Sequence, residues 1–83
     1  MNHMATVRLF AAARESAGTG TAQIDGATVG DVLAGAVAAF GPQFQSVLAN
    51  SRVWVNGDPA EPDMSVGSDD EVAILPPVSG GSE

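Results

Sequence analysis

The chain contains no cysteine and no lysine. Without cysteine the protein has no disulfide, no thiolate ligand for a metal, and neither a cysteine nucleophile nor a redox-active Cys-x-x-Cys pair. Its fold must therefore be stabilised by packing alone. Long apolar runs are also missing, and no basic segment followed by an apolar run and a cleavage site is present. These absences predict a soluble, cytoplasmic protein without a membrane partner.

The net charge is −7, because ten acidic residues stand against three arginines. Nucleic acid is not an expected partner, since binding to phosphates depends on clustered lysine and arginine. The acidic surface either keeps the domain soluble or steers it onto a basic partner protein, an effect that salt would weaken. No metal site is predicted, because the acidic residues Asp69, Asp70 and Glu71 are adjacent and neighbouring residues of a strand point to opposite faces.

The length of 83 residues allows one domain with a small core. We expect the domain to span residues 5–75. Residues 1–4 are interpreted as an expression-tag remnant or a frayed start. Residues 76–83 are predicted to form an extended C-terminal tail that ends in a Gly-Gly pair and two further residues.

Alternating polar and apolar residues predict strands at residues 5–10, 52–55 and 71–75, and a shorter strand is expected around residues 22–24. The Asn56-Gly57 pair supplies the positive φ angles of a tight turn, and the segment after it is loop-like. In each alternating strand one set of side chains faces a helix layer. The other set forms the open face of the sheet, which carries Phe10, Trp54 and Leu75.

The main helix is predicted to begin at a capping box, in which the Thr28 hydroxyl accepts the amide of Asp31, and to end at Gly41. Shorter helical segments are expected at residues 11–17 and around residues 44–48. The apolar residues of the main helix recur at helical spacing and form one stripe, which comprises Val29, Val32, Leu33, Ala36, Val37 and Phe40.

The element order is therefore strand, strand, helix, short helix, strand, strand. One apolar helix stripe and a sheet with one apolar face pack as two layers. Because the crossover should return the chain parallel to the first strand, the sheet is expected to be mixed. The sequence predicts an α+β fold of the β-grasp, or ubiquitin-like, type, with about four to five strands packed on one main helix and a short helix.

Four stretches of the chain resemble a known family: VRLFAAARE at 7–15, TVGDVL at 28–33, VNG at 55–57 and DEVAILPPVSGG at 70–81. The last stretch is the specific one, since a strand, two prolines, a short spacer and Gly-Gly follow one another near the end of a small acidic domain. The sequence resembles the MoaD-like small subunits of molybdopterin synthase, which are ubiquitin-like sulfur carriers of the MoaD/ThiS family.

The resemblance implies a carrier that is not catalytic alone and binds no cofactor. In such carriers an E1-like enzyme uses ATP and Mg to adenylate the final glycine, and sulfur displaces AMP to leave a thiocarboxylate. Gly81 would then donate sulfur to a pterin precursor in the large catalytic subunit of molybdopterin synthase, during molybdenum cofactor biosynthesis. Gly80 would pass a narrow channel, Pro76 and Pro77 would keep the tail extended, and Ser79 would loosen it before the glycines.

The open face of the sheet is where the family docks its partners, and Phe10 and Leu75 occupy matching positions. Trp54 joins them on the grounds of strand alternation alone. Single exposed apolar residues are common on protein surfaces. An aromatic-containing cluster beside a functional tail, however, is typical of a protein-binding site. Phe10, Trp54 and Leu75 are therefore the predicted partner-binding residues.

One departure from the family concerns the final dipeptide, because Ser82 and Glu83 follow Gly81 and leave it with an amide instead of a free carboxylate. Either a processing protease removes the dipeptide, or it comes from expression, or this chain serves a binding role without sulfur chemistry. Three other functions also stay open. They are a sulfur carrier for thiamine or cysteine, a protein modifier that forms an isopeptide through Gly81, and an interaction domain with an inert tail.

Overall fold

The computed structural model describes residues 4–77. Met4 is the first residue of the first strand and pairs with Asp25. The boundary predicted after residue 4 is therefore one residue too late, because the backbone of Met4 already belongs to the sheet. The tail positions singled out above lie outside the described residues: Ser79, Gly80, Gly81, Ser82 and Glu83.

The described residues form one sheet of five strands and three helices. The strands are β1 (Met4–Leu9), β2 (Thr21–Asp25), β3 (Arg52–Val55), β4 (Asp58–Pro59) and β5 (Glu71–Leu75). The helices are α1 (Ala11–Ala17), α2 (Val29–Phe40) and α3 (Pro42–Ala49). Across the sheet the strands lie in the order β2-β1-β5-β3-β4.

The sheet is mixed, because its central pair of strands runs in parallel. β1 pairs with β5 from Thr6 opposite Glu71 to Leu9 opposite Ile74. The other neighbouring strands are antiparallel. This arrangement is the β-grasp, or ubiquitin-like, fold, and it confirms the mixed sheet and the helix layer that the sequence predicts.

The core lies between the helices and one face of the sheet. On the helix side the predicted stripe of α2 packs inward, with Val29, Val32 and Ala36 buried, and Phe44 of α3 is fully buried beside it. On the sheet side the inward residues of the central strands are at most 2% exposed, and these are Ala5, Val7, Leu9, Val72 and Ile74. Alternation along each strand therefore assigns one face to the core.

Local sequence signals set the ends of two elements. The amide of Asp31 donates to the Thr28 hydroxyl at 3.2 Å, which confirms the predicted cap of α2. Asn56 and Gly57 adopt φ angles of 53° and 91°, as the predicted tight turn requires. This turn also produces β4, because Val55 pairs with Asp58 across it. The first residues after the turn were expected to be loop, and that expectation is wrong for this short strand.

Candidate docking surface at the tail end of the sheet

The central strand β5 runs directly into the tail. Its last residue, Leu75, is half-buried, the next residue, Pro76, is buried, and Pro77 is exposed. Both prolines line an open cleft between α1 and α3, together with Ala12, Ser46, Val47 and Asn50. The globular body therefore buries the chain as far as Pro76, and Pro77 is the first exposed residue after β5.

A group of side chains on the open face lies next to the start of the tail. We call this group the tail-side patch, and it consists of Arg8, Phe10, Arg52, Trp54, Ala73 and Leu75. The strand register arranges the patch in two rows. In one row Ala73 lies between Arg8 and Trp54. In the row nearer the tail, Leu75 lies opposite Arg52 on one side and next to Phe10 on the other.

The structure brings together the three residues predicted to bind a partner. Phe10 is 41% exposed, and Trp54 and Leu75 are half-buried. They form an apolar band between two arginines, Arg8 and Arg52, which occupy opposite corners of the patch. Arg8 and Arg52 are not among the partner-binding residues predicted from the sequence, although strand alternation places them on the same face. A docking role for the patch stays a prediction.

A sharp turn between β1 and α1 fixes the position of Phe10. Its amide donates to the carbonyl of Ile74 at 3.3 Å, so the backbone continues alongside β5 beyond the last residue of β1. The carbonyl of Phe10 then accepts the amides of Ala13 and Arg14 at 3.0 and 3.3 Å, which starts α1. Between the two, Ala11 has a φ of 50°, in the left-handed region that alanine rarely adopts. No sequence signal indicates this turn, because alanine favours right-handed helix.

One ion pair crosses the open face. Arg8 Nη1 lies 3.1 Å from Glu71 Oε2, and both side chains are about half exposed. Such an exposed pair adds little to folding stability, but it places a carboxylate directly beside the charge of Arg8. Within residues 4–77, Arg52 has no ion-pair partner. The positive charge of the patch that has no ion-pair partner in the described residues is therefore that of Arg52, beside Leu75.

The opposite end of the sheet is held by a hydrogen-bond network around Asn56. Its Nδ2 donates to Asp70 Oδ1 at 2.9 Å, and its Oδ1 accepts the amide of Glu71 at 2.9 Å. The amide of Gly67 donates to the other carboxylate oxygen of Asp70 at 2.8 Å. The hydrogen bonds from Asn56 and Gly67 hold the pKa of Asp70 below its ordinary value. This network ties the loop before β5 to the turn after β3.

Neither a metal cluster nor a membrane span is found in the described part of the chain. Within residues 4–77, no three or more acidic or histidine side chains come close enough to hold a metal ion. None of the helices described there is long and apolar enough to cross a membrane. The tail-side patch and the adjoining prolines Pro76 and Pro77 form the candidate functional site.

Comparison with known proteins identifies the family. A model of the ThiS family matches residues 7–81 of the chain, which is nearly its whole length. The chain belongs to the ThiS family. This agrees with the sulfur-carrier family that the sequence resembles, and the match runs through the Gly-Gly pair.

Solved structures similar to this ThiS-family chain carry two kinds of name. SAMP1 from Haloferax volcanii is 35% identical with a TM-score of 0.84, covering 94% of this chain and 99% of that chain. Small archaeal modifier protein 1 from Methanosarcina acetivorans is 33% identical with a TM-score of 0.76, covering 95% and 99%. A Pyrococcus furiosus protein described as molybdopterin converting factor, subunit 1, is 25% identical with a TM-score of 0.80, covering 92% and 99%. Both kinds of protein share the fold of this chain, and the pathway is not determined by these similarities.

Proposed function

We propose that this chain is a sulfur carrier that receives sulfur as a thiocarboxylate on Gly81, after removal of Ser82 and Glu83, and acts as the small subunit of molybdopterin synthase. An E1-like enzyme would adenylate Gly81 with ATP, and the large subunit would take the sulfur for molybdenum cofactor biosynthesis. The chain supplies the reacting terminus and the docking surface, and the partners supply the catalytic groups.

The observation that supports this proposal most is the position of β5 in the fold. This strand lies at the centre of the sheet and ends in Leu75, a member of the tail-side patch, immediately before the proline pair. A partner that covers the patch therefore also meets Pro77, the exposed residue that follows the buried Pro76. Docking and delivery of the terminus are coupled because they use consecutive residues of one strand.

Direct reconstitution tests the proposal. The full chain and a chain ending at Gly81 are incubated with the E1-like enzyme of the same organism, ATP, Mg and a sulfur donor, and intact masses are measured. We expect the chain ending at Gly81 to exchange one oxygen for one sulfur, and the full chain to do so only after a protease removes Ser82 and Glu83. The matched control replaces Gly81 by alanine in the shorter chain and should react far more slowly. Absence of adenylation in the chain ending at Gly81 would contradict the proposal.

Protein modification is the second candidate function, and the likeness to two small archaeal modifier proteins favours it. In this case Gly81 would be joined through an isopeptide to lysines of other proteins. The chain itself has no lysine and so cannot form chains on its own side chains. Tagged protein expressed in the native cell distinguishes the two candidates. Conjugates that resist boiling and reducing agent indicate a modifier, and a free thiocarboxylate without conjugates indicates the carrier.

A further inference from the structure

Charge is divided unequally between the two ends of the sheet. The end that contains the Asn56 turn and the start of β5 is acidic, because the loops and strand ends gathered there carry most of the carboxylates of the described residues. These are Asp25, Asp31, Asp58, Asp63, Asp69, Asp70 and Glu71. Toward the tail end, among residues 4–77, the acidic residues are Glu15 of α1 and Glu61, which follows Ala60 opposite Val53.

All three arginines of the chain lie toward the tail end. Arg52 pairs with Leu75 across the strands, and Arg8 is opposite Ala73. Arg14 is on α1, where its side chain lies against Gly20 in the loop before β2. The patch of this strongly acidic chain therefore contains arginines and no carboxylate.

The distance between the two ends decides which charge a docked partner meets. β5 rises about 3.3 Å per residue, so Glu71 lies about 13 Å from Leu75. Glu61 lies nearer to Arg52 but, within residues 4–77, forms no ion pair with it. The Debye length is about 8 Å at physiological salt. Compared with a direct contact at about 4 Å from Arg52, a charge about 13 Å away acts about ten times more weakly once distance and screening are combined. Even summed, the distant carboxylates do not outweigh one direct arginine contact.

We propose that Arg52, assisted by Arg8, binds carboxylates on the rim of the partner's docking surface, so that this acidic chain docks through the tail-side patch on an acidic surface. The partner surface would have an apolar centre that covers Phe10, Trp54 and Leu75, with aspartate or glutamate at its edge. This inference rests on the proposed function, because that function makes the E1-like activating enzyme the partner. It differs from the expectation that the acidic face steers the chain onto a basic partner, because that face lies at the end away from the tail.

Guanidinium geometry explains why the contact is expected at Arg52. Arginine presents a planar set of donors that matches a carboxylate in a bidentate manner. The side chain of Arg52 is exposed and makes no hydrogen bond or ion pair within residues 4–77, so no contact of the fold is lost when it turns to a partner. Arg8 must share its guanidinium with Glu71 at 3.1 Å. The larger effect is therefore assigned to Arg52.

The test is a set of binding measurements between the full chain and the E1-like enzyme at about 0.15 M salt, near the physiological ionic strength. Arg52→Gln is expected to raise the Kd about two- to fivefold, the range for one exposed ion pair. Arg52→Glu should raise it about tenfold or more, because like charges then face each other. The ratio of the variant Kd to the wild-type Kd should decrease as the salt concentration rises, because Arg52 acts at the rim of the interface. Thermal midpoints of the variants, expected to equal that of the wild type, exclude loss of the fold as the cause.

Two controls change the net charge by the same amount as Arg52→Gln. Arg14→Gln removes an arginine at the tail end but off the patch, and Ser68→Glu adds a carboxylate in the acidic loop before β5. Each should change the Kd by less than about twofold. If either control matches the effect of Arg52→Gln, net charge explains the result and the inference is overturned. It is also overturned if Arg52→Gln binds as tightly as the wild type.

The adenylation assay separates this inference from the proposed function. If the chain ending at Gly81 is adenylated and its Arg52→Gln variant is adenylated equally at limiting protein concentration, the proposed function stands and the arginine contact is wrong. If the wild type neither binds nor is adenylated, both are wrong. A wild type that is adenylated faster than the Arg52→Gln variant, with the two Kd values in the same order, supports both.

Discussion

Alternate residues of β5 face two different surroundings. Val72 and Ile74 point to the helix-covered face and are fully buried, whereas Ala73 and Leu75 point to the open face and keep part of their surface in water. Both sets are apolar, so hydrophobicity alone does not decide which face is covered. Packing of α2 determines which face of the sheet is covered, because its single apolar stripe can pack against one face only. The open face is left with apolar residues that have no helix to cover them.

This difference separates the residues needed for folding from those available for binding. Side chains on the covered face contribute to the core of a small domain, which has little stability to spare. Side chains on the open face contribute less to the fold and present apolar area to a partner. Substitutions on the two faces should therefore have different consequences even when they are neighbours in sequence.

The strongest test exchanges neighbouring residues of β5 for alanine. Ile74→Ala is expected to lower the free energy of unfolding by about 2–5 kcal/mol, because it leaves a cavity in a fully buried site. Leu75→Ala should lower it by about 1 kcal/mol or less, since Leu75 is partly exposed and its surroundings are open. Urea unfolding followed by circular dichroism measures both. Equal losses would mean that the open face is also part of the core.

A charged residue at position 75 provides a second test of the difference between the covered and open faces. Leu75→Asp should leave the chain folded but weaken binding to its partner, because a carboxylate in the centre of the patch must lose its hydration on docking. Phe10→Asp should behave similarly. Unfolding of either variant, seen as loss of the cooperative thermal transition, would contradict the assignment of the faces.

Gly26, in the loop between β2 and α2, packs closely against the start of α2 and provides a further test. A Cβ on Gly26 would lie 2.8 Å from the backbone nitrogen of Val32 and 2.9 Å from Asp31 Cβ. Gly26→Ala is therefore expected to lower the free energy of unfolding by about 1–3 kcal/mol, as overpacking does. Gly67→Ala is the matched control, because nothing lies within 4 Å of its added Cβ, and should change stability by less than about 0.5 kcal/mol.

Sequence patterns predict the covered face well, because alternation in β1 and β5 and helical spacing in α2 report the same core. The cap at Thr28 and the Asn56-Gly57 turn are predicted for a similar reason, since each depends on side-chain chemistry that is visible in the sequence. The two-residue strand β4 was missed because its pairing follows from turn geometry and not from a pattern of its own.

The candidate site is predicted only in part, because it depends on contacts between distant segments. Alternation gives the face of Phe10, Trp54 and Leu75, but not which of them are neighbours. The register of β3 and β5 places Arg52 beside Leu75, and no local signal specifies that pairing. Likewise the burial of Pro76 depends on the packing of α1 against α3, which the residues of the tail do not reveal.

The turn that presents Phe10 on the open face gives a third, smaller effect. Ala11 has a φ of 50°, which is unfavourable for any residue with a Cβ. Ala11→Gly is therefore expected to raise the free energy of unfolding by about 0.5–1 kcal/mol, since relief of strain exceeds the entropy lost by glycine. Ala34→Gly, at an exposed position within α2, should lower it by about 1 kcal/mol. Destabilisation by both changes would mean that Ala11 is not strained.

The smallest expected effect is a change in acid sensitivity at the end away from the tail. The carboxylate of Asp70 accepts hydrogen bonds from Asn56 and Gly67, so its pKa in the folded protein lies below the ordinary value of 3.8. A lowered pKa means that Asp70 stabilises the fold fully above the ordinary value, and that this contribution is lost as pH falls through the folded pKa. Thermal midpoints measured from about pH 6 to about pH 2 should therefore fall less steeply below about pH 4 in Asp70→Asn than in the wild type. Asn56→Gly, which keeps the positive φ and removes the main donor, should flatten the same part of the curve. An Asn56→Gly curve as steep as that of the wild type would show that this network does not hold the acidic end together.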